Sequence, residues 1–284
     1  MNILRTLLGK CFSIWQHTRQ VLYWKLQYSK CIKEGLVQGP HQAIQNFNLK
    51  KILILCPHAD DELIGCSTLI TSELHKVDVL YYQLYGYNQC EKNKYTRDLE
   101  IQACSKDNHY TLITSTSPPD RLKELLLSGH YDAVFSPSPI DWHWEHRYVF
   151  DTLAKVFSEA KDRLNIKVFL YFISVPPIEY SNVYSSSYDK AYQANKWSYF
   201  NKRYASQKMP NYRYKLQERL NAINSGQYAA ELFEHLTEKK IKELYKYIHL
   251  ESSVSYLNTL SKEINDIYHI RQICKQLNHE RETK

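Results

Sequence analysis

The sequence predicts an α/β protein built on a mostly parallel sheet, with further helices at both ends of the chain. Apolar runs of strand length recur at Lys51–Cys56, Val77–Tyr85 and Tyr131–Phe135. Runs without polar alternation suit strands buried on both faces of a parallel sheet. The stretches between them have helical spacing, and strand–helix alternation favours βαβ units. Pro57, which cannot donate to a central ladder, and Gly86 close the first two runs.

Behind the first run, Asp60, Asp61 and Glu62 favour a helix start through the macrodipole, and that helix is expected from Asp61 to about Leu74. Val77–Tyr85 is the second strand; a polar loop to Lys94 leads to a helix over Tyr95–Asp107 that carries Arg97, Glu100 and Ala103. Tyr110–Thr114 reads as a short strand, Ser117–Asp120 as a turn and cap, Arg121–Leu127 as a helix and Tyr131–Phe135 as the next strand. A helix over Glu145–Leu164 and a strand over Ile166–Val175, ended by Pro176 and Pro177, complete the alternation. Ile178–Tyr188, rich in Tyr and Ser, fits a substrate-binding lid or an ordinary solvated loop. From Tyr188 the chain reads as helical, and Leu236–Lys284, with Ile241, Leu244, Ile248, Leu257, Leu260, Ile264, Ile270 and Leu277 at helical spacing, predicts a helical hairpin. The expected division is an N-terminal helical segment (1–45), a central α/β domain (46–235) and a C-terminal helical extension (236–284).

A chain of 284 residues with 43% apolar content can bury a sizeable core. Glycine is scarce, at 7, and neither GxGxxG nor GxxxxGKS/T occurs, which removes the two glycine-rich nucleotide-binding routes. The net charge of +7 is dispersed, so it suits an anionic substrate or a membrane surface and marks no nucleic-acid partner. Seven cysteines without a CxxC pair read as reduced core thiols, which places the chain in the cytoplasm. Within Met1–Tyr28, Ile3, Leu4, Leu7, Leu8, Phe12 and Trp15 recur at helical spacing beside Arg5, Lys10, Arg19 and Lys25. The run is too short to span a bilayer and lacks a signal-peptide cleavage site. It suits peripheral contact with the inner face of a membrane, and equally docking on the core or on a second copy in a homo-oligomer.

Two clusters carry the chemistry. His58, Asp60, Asp61 and Glu62 fall in the turn at the C-terminal end of a strand, the edge where open α/β sheets bind ligands. Alone, they also read as an acidic helix cap. Ser136–Arg147, behind Tyr131–Phe135, carries His143 and His146 three apart at a helix start. A parallel sheet brings both turns to one edge, so His58, Asp61 and a histidine from 143 to 146 can converge. Three protein ligands with one open position is the layout of a catalytic zinc, and a neighbouring carboxylate held off the ion can take a proton.

With Pro57-His-Ala-Asp-Asp-Glu62 and His143-Trp-Glu-His146 in place, the chain resembles the PIG-L/LmbE-like family of zinc-dependent de-N-acetylases, whose usual motifs are A/P-HPDDE and HPDH. Arg97-Asp-Leu-Glu100 with Ala103 is similar to the family's RxxExxxA helix, Lys190–Gln207 to its KxxA…YxSQ segment, and Tyr228–Phe233 to its YAExF element. The similarity covers Lys51 to about His235. It implies a Rossmann-like fold, with His58, Asp61 and His146 as ligands of Zn2+ or another divalent metal. It further implies Asp60 as general base, His143 stabilising or protonating the tetrahedral intermediate, and Arg97 contacting the sugar. Ala59 stands where proline is usual and Glu145 where aspartate is usual; a longer Glu145 is expected to bear on the orientation of His143.

The function expected is therefore removal of acetyl from an N-acetylated sugar conjugate of GlcNAc type, lipid- or nucleotide-linked, in glycan or glycolipid synthesis. The alternatives are a catalytically silent α/β sugar-binding module and a metal-dependent hydrolase of another bond, such as a phosphoester.

Overall fold

A computed structural model describes residues 2–37, 42–86, 90–160, 164–207, 209, 211–223, 225–262 and 265–282, and in the first helix it describes side chains from Ile14 onward. Helix α1 (Asn2–Lys33) leads to a two-residue strand β1 (Gln42–Ala43) and a 3-10 turn (Ile44–Phe47). The α/β alternation follows: β2 (Lys51–Cys56), α2 (Asp61–Ile70), β3 (Lys76–Tyr81), α3 (Glu91–Asn108), β4 (Thr111–Thr114), α4 (Pro118–Leu127), β5 (Ala133–Pro137), α5 (Trp144–Ala160) and β6 (Lys167–Tyr171). Then come β7 (Val183–Tyr188), α6 (Lys190–Arg203), α7 (Asn211–Ala222), β8 (Ala229–Leu236), α8 (Glu238–Ile248), α9 (Glu251–Lys262) and α10 (Ile267–Glu282).

The eight strands form one sheet in the order β1-β7-β8-β6-β5-β2-β3-β4. Every described pairing is parallel except those of β8 with β6 and β7. β2 shows why its sequence has no polar alternation. Leu53 and Leu55 enter the core formed with α4, α5, α8, α9 and α10, whereas Ile52, Ile54 and Cys56 enter the opposite core formed with α2, α3, α6 and α7. A third, smaller cluster of Trp24, Cys31, Leu36, Leu216, Leu220 and Ile267 fixes the C-terminal part of α1 to α7 and α10. Five of the six described cysteines are buried and all six are free; Cys11 lies outside the described side chains.

Three expectations are corrected. Ile178–Tyr188 supplies β7, a sheet strand with Val183, Ser185, Ser186 and Tyr188 buried. The stretch after Tyr188 is interrupted by β8, which lies between β6 and β7. Its Glu231 would be a poor strand residue in isolation, but the side chain accepts from the backbone N–H groups of Ser67 and Thr68 (2.9 and 3.0 Å), from both hydroxyls, and from Lys196 Nζ (2.7 Å). Beyond β8 the chain forms three helices where a hairpin of two was expected, and Ile264 lies outside the described residues.

Lys196 is buried and bridges Glu231 and Glu218 (2.7 and 2.8 Å) while donating to the Ile64 carbonyl at 2.8 Å. It joins α6, α7, β8 and α2 around one charge. Removing it strands two carboxylates away from water, so Lys196→Ala is expected to lower the unfolding free energy by about 3–5 kcal/mol. Lys190→Ala, at the exposed start of the same helix, should change it by less than about 0.5 kcal/mol; urea titration measures both.

Candidate metal centre

The strand order reverses between β2 and β5: β3 and β4 lie to one side of this pair, β6 to the other. The crevice at such a reversal, above the C-terminal strand ends, is where open α/β sheets take ligands. The turn after β2 holds His58, Asp60 and Asp61, and the turn after β5 holds His143 and His146, the latter in the first turn of α5. All five line a cavity of about 220 Å³ together with Tyr85, Arg97, Trp142, Ile173, Gln207 and Tyr214. The structure thus brings together all six residues singled out in the sequence.

His58, Asp61 and His146 form a buried group with ligand atoms within 4.8 Å of one another. Asp61 Oδ2 lies 3.0 Å from His58 Nδ1 and 3.5 Å from His146 Nε2. Ligand atoms bound tetrahedrally at about 2.1 Å sit about 3.4 Å apart, so this spacing suits a divalent cation. Both ring nitrogens of His146 are buried and make no hydrogen bond among the described residues, a costly state that a ligated cation relieves. Behind each histidine stands a second carboxylate: Glu145 Oε2 is 2.6 Å from His58 Nε2, and Asp141 Oδ2 is 3.4 Å from His146 Nδ1. A carboxylate on the far nitrogen fixes a ligand ring's tautomer and orientation. His58, His143 and Glu145 form a second candidate group, but the 2.6 Å between His58 and Glu145 is a hydrogen bond with no room for an ion between them.

The charges follow from this packing. Burial opposes protonation of His58 and His146, but the nearby carboxylates outweigh it, Asp61 first for His58 and Asp141 first for His146, and raise the rings to about 9 and about 10. Burial also works against an ionised Asp61, yet the same two rings hold its carboxyl below the usual range. Asp60 goes the other way: burial and then the Asp61 charge push it well above that range. His143 is lowered to about 4, by burial and then by the charges of His58 and His146, so its ring is neutral at pH 7. Two adjacent carboxylates therefore differ in kind, one held ionised and one with high proton affinity, which is how paired acids come to divide roles. Asp60 is the N-cap of α2 with φ 143°, and its side chain does not cap the helix. A non-glycine residue at positive φ is strained, and here the strain turns the carboxyl toward the cavity.

Sequence reasoning placed Glu145 against His143. The glutamate reaches further, to His58 and to the Gly86 N–H (3.0 Å), and lies 3.4 Å from His143 Nδ1 without bonding it. Asp141 was missed; an aspartate in a loop gives no sequence signal of the nitrogen it faces. Arg97 Nη2 donates to Gln207 Oε1 at 2.7 Å, and Glu100 accepts from the Ser206 N–H and hydroxyl at 2.8 and 2.6 Å. The segment ending at Gln207 is thus docked on α3, and Tyr204 bonds Glu62. The buried lysine of that segment is Lys196, six positions beyond the Lys190 at which the similarity was set.

No family model matches the sequence, and no curated protein matches it. Solved structures do. The zinc-inhibited form of teicoplanin deacetylase Orf2 is 13% identical with a TM-score of 0.51, covering 66% of this chain and 98% of its own. The deacetylase–teicoplanin complex from the teicoplanin biosynthesis pathway is 14% identical with a TM-score of 0.51 over the same shares. The conserved protein TT1542 from Thermus thermophilus is 17% identical with a TM-score of 0.52, over 66% of this chain and 94% of its own. This chain shares the fold of these structures. Within this fold, a group able to hold a divalent metal lies at the strand-order reversal. Among the described residues no helix is long and apolar enough to cross a membrane.

Because His58 and His146 hold protons to about pH 9 and 10 in the metal-free chain, a cation must displace them. Zinc affinity should therefore rise from about pH 6 to about pH 9, with proton release near neutrality seen as a buffer-dependent binding heat. Glu145→Gln and Asp141→Asn, which leave the ligand set intact, are each expected to weaken zinc binding by about 10–100-fold, measured by competition with a chromophoric chelator.

Proposed function

We propose that this protein is a metal-dependent hydrolase that removes the acetyl group from an N-acetylated sugar conjugate of GlcNAc type, with zinc as its metal. One observation carries the reading: of the adjacent Asp60 and Asp61, both lining the cavity, only Asp61 is spaced for a cation shared with His58 and His146, which leaves Asp60 free to take a proton.

A divalent cation held by His58, Asp61 and His146 would supply Lewis acidity, polarising an amide carbonyl and making water acidic near pH 7. Asp60 then accepts the proton of the attacking water. His143, neutral and partly exposed at the cavity wall, can donate a ring N–H to the oxygen on which charge develops. The proton taken by Asp60 passes to the amine nitrogen as the C–N bond breaks, so water and amide give acetic acid and a primary amine, which at pH 7 are acetate and ammonium. Arg97, held by Gln207, would contact the sugar, and Tyr85 and Trp142 line the same cavity beside it. The cavity is smaller than the roughly 300–1,000 Å³ of drug-sized sites, which suits one acetylated sugar with its lipid or nucleotide aglycone outside.

Zinc-loaded protein incubated with free, nucleotide-linked and lipid-linked GlcNAc should release primary amine from at least one conjugate. Asp60→Asn should keep its zinc and lose activity by about 10²–10⁴-fold, whereas His146→Ala should lose both. Retained zinc with no amine released from any conjugate would favour the silent sugar-binding module, and full activity in Asp60→Asn would remove Asp60 from its role.

A further inference from the structure

Helix α1 carries an exposed apolar face ahead of the point where it joins the core. Its first buried residue among the described side chains is Trp24, and from there Gln27 and Cys31 seat it on α7 and α10. Trp24 Nε1 donates to the Asn265 carbonyl at 2.9 Å, and Gln27 Oε1 accepts from Ile267 N at 2.9 Å, so this end is firmly fixed. Ahead of it, every residue from Ile14 to Gln20 is exposed. The helix nevertheless continues back to Asn2, so Asn2–Tyr23 extends about 33 Å at about 1.5 Å per residue. In proteins most helical stability comes from packing an amphipathic face rather than from propensity.

Among the described side chains the exposed face is apolar along its middle, with Arg19, Lys25 and Lys30 beside it. Trp15, Leu22 and Leu26 are 56%, 54% and 66% exposed and fall on one stripe at spacings of seven and four; in the sequence Leu4, Leu8 and Cys11 continue that spacing toward the N-terminus. The sequence of residues 1–33 holds six Lys and Arg residues and no aspartate or glutamate. The guanidinium of Arg19 lies 5.7 Å from the Trp15 ring, at the border of the apolar stripe.

We propose that α1 docks on an anionic lipid surface, with Trp15, Leu22 and Leu26 entering the headgroup–acyl boundary and the flanking cations facing acidic headgroups. The charge pattern selects this occupant over a second copy of the chain, because two acid-free cationic helices laid face to face would repel. An apolar stripe with Trp at its centre and Lys and Arg along its sides is the pattern of a helix lying in a membrane interface, and each cation near an acidic leaflet adds to binding. The inference does not depend on the deacetylase reading, since lipid partition is read without turnover.

The test is sedimentation of the full chain with vesicles of phosphatidylcholine alone and of phosphatidylcholine with an equal part phosphatidylglycerol. The chain should sediment with the anionic vesicles only and come off in high salt. Trp15→Glu/Leu22→Glu/Leu26→Glu, three exposed positions whose replacement should leave the thermal midpoint and zinc content unchanged, should lower the partition coefficient roughly a hundredfold or more. Arg19→Glu/Lys25→Glu provides a second variant with the apolar stripe intact and should also lose binding. Absence of binding to anionic vesicles, equal binding to neutral ones, or binding unchanged in the triple variant would each overturn the proposal. So would a soluble dimer that ignores vesicles and becomes monomeric in the triple variant, which would assign the stripe to a second copy.

Discussion

The reversal of strand order between β2 and β5 is the constraint on which the site depends. Two neighbouring parallel strands whose chains depart to opposite sides leave their C-terminal turns side by side with no crossover above them. Residues 87 positions apart, such as His58 and Glu145, can then sit within a hydrogen bond. The same reversal fixes the burial of β2 and β5, since a strand at the centre of the sheet is covered on both faces and its end leads into the crevice. Burial raises both neighbouring carboxylates alike, and the rings of His58 and His146 separate them by holding Asp61 low.

The polar groups around the crevice form a layered support. Glu145 and Asp141 stand behind the two histidines, the Gly86 N–H holds Glu145, and Asp141 in turn accepts from the His143 N–H at 3.0 Å. On the other side, Glu62 receives Tyr204 and Tyr110, and Glu231 and Lys196 bind the body of α2 to the sheet. Gly65 allows the closest approach: a Cβ there would lie 2.4 Å from the Tyr171 ring, so α2 reaches the sheet only because that side chain is missing. The turn carrying Asp60 and Asp61 is thereby held from both ends.

Much of this was legible in the sequence, for identifiable reasons. Unbroken apolar runs marked β2, β3 and β5, because burial on both faces leaves no polar alternation. Pro57 marked the end of β2 and hence the position of the chemistry. β7 and β8 were not legible. Val183–Tyr188 is half serine, and Ala229–Leu236 carries Glu231 and Glu234, so neither has the composition of a strand. Their polarity is satisfied by partners far away in sequence, as Ser186 is by Gln45 and Glu231 by Lys196, Ser67 and Thr68. The ligand-bearing residues could be named because their types and spacing are characteristic; Asp141 could not, because its role lies in a distance to His146 that local sequence does not encode.

The backbone of Asp60, at φ 143°, sets two demands on this position against each other. Glycine would relieve a distortion of the kind that costs about 1–3 kcal/mol, so a search for a sturdier fold would replace this residue. The chain is then less robust than its own architecture permits, at a carboxylate whose proton affinity its surroundings raise well above the ordinary range. Stabilising designs on this scaffold therefore have to leave that turn strained and draw their gains from the sheet and the outer helices instead.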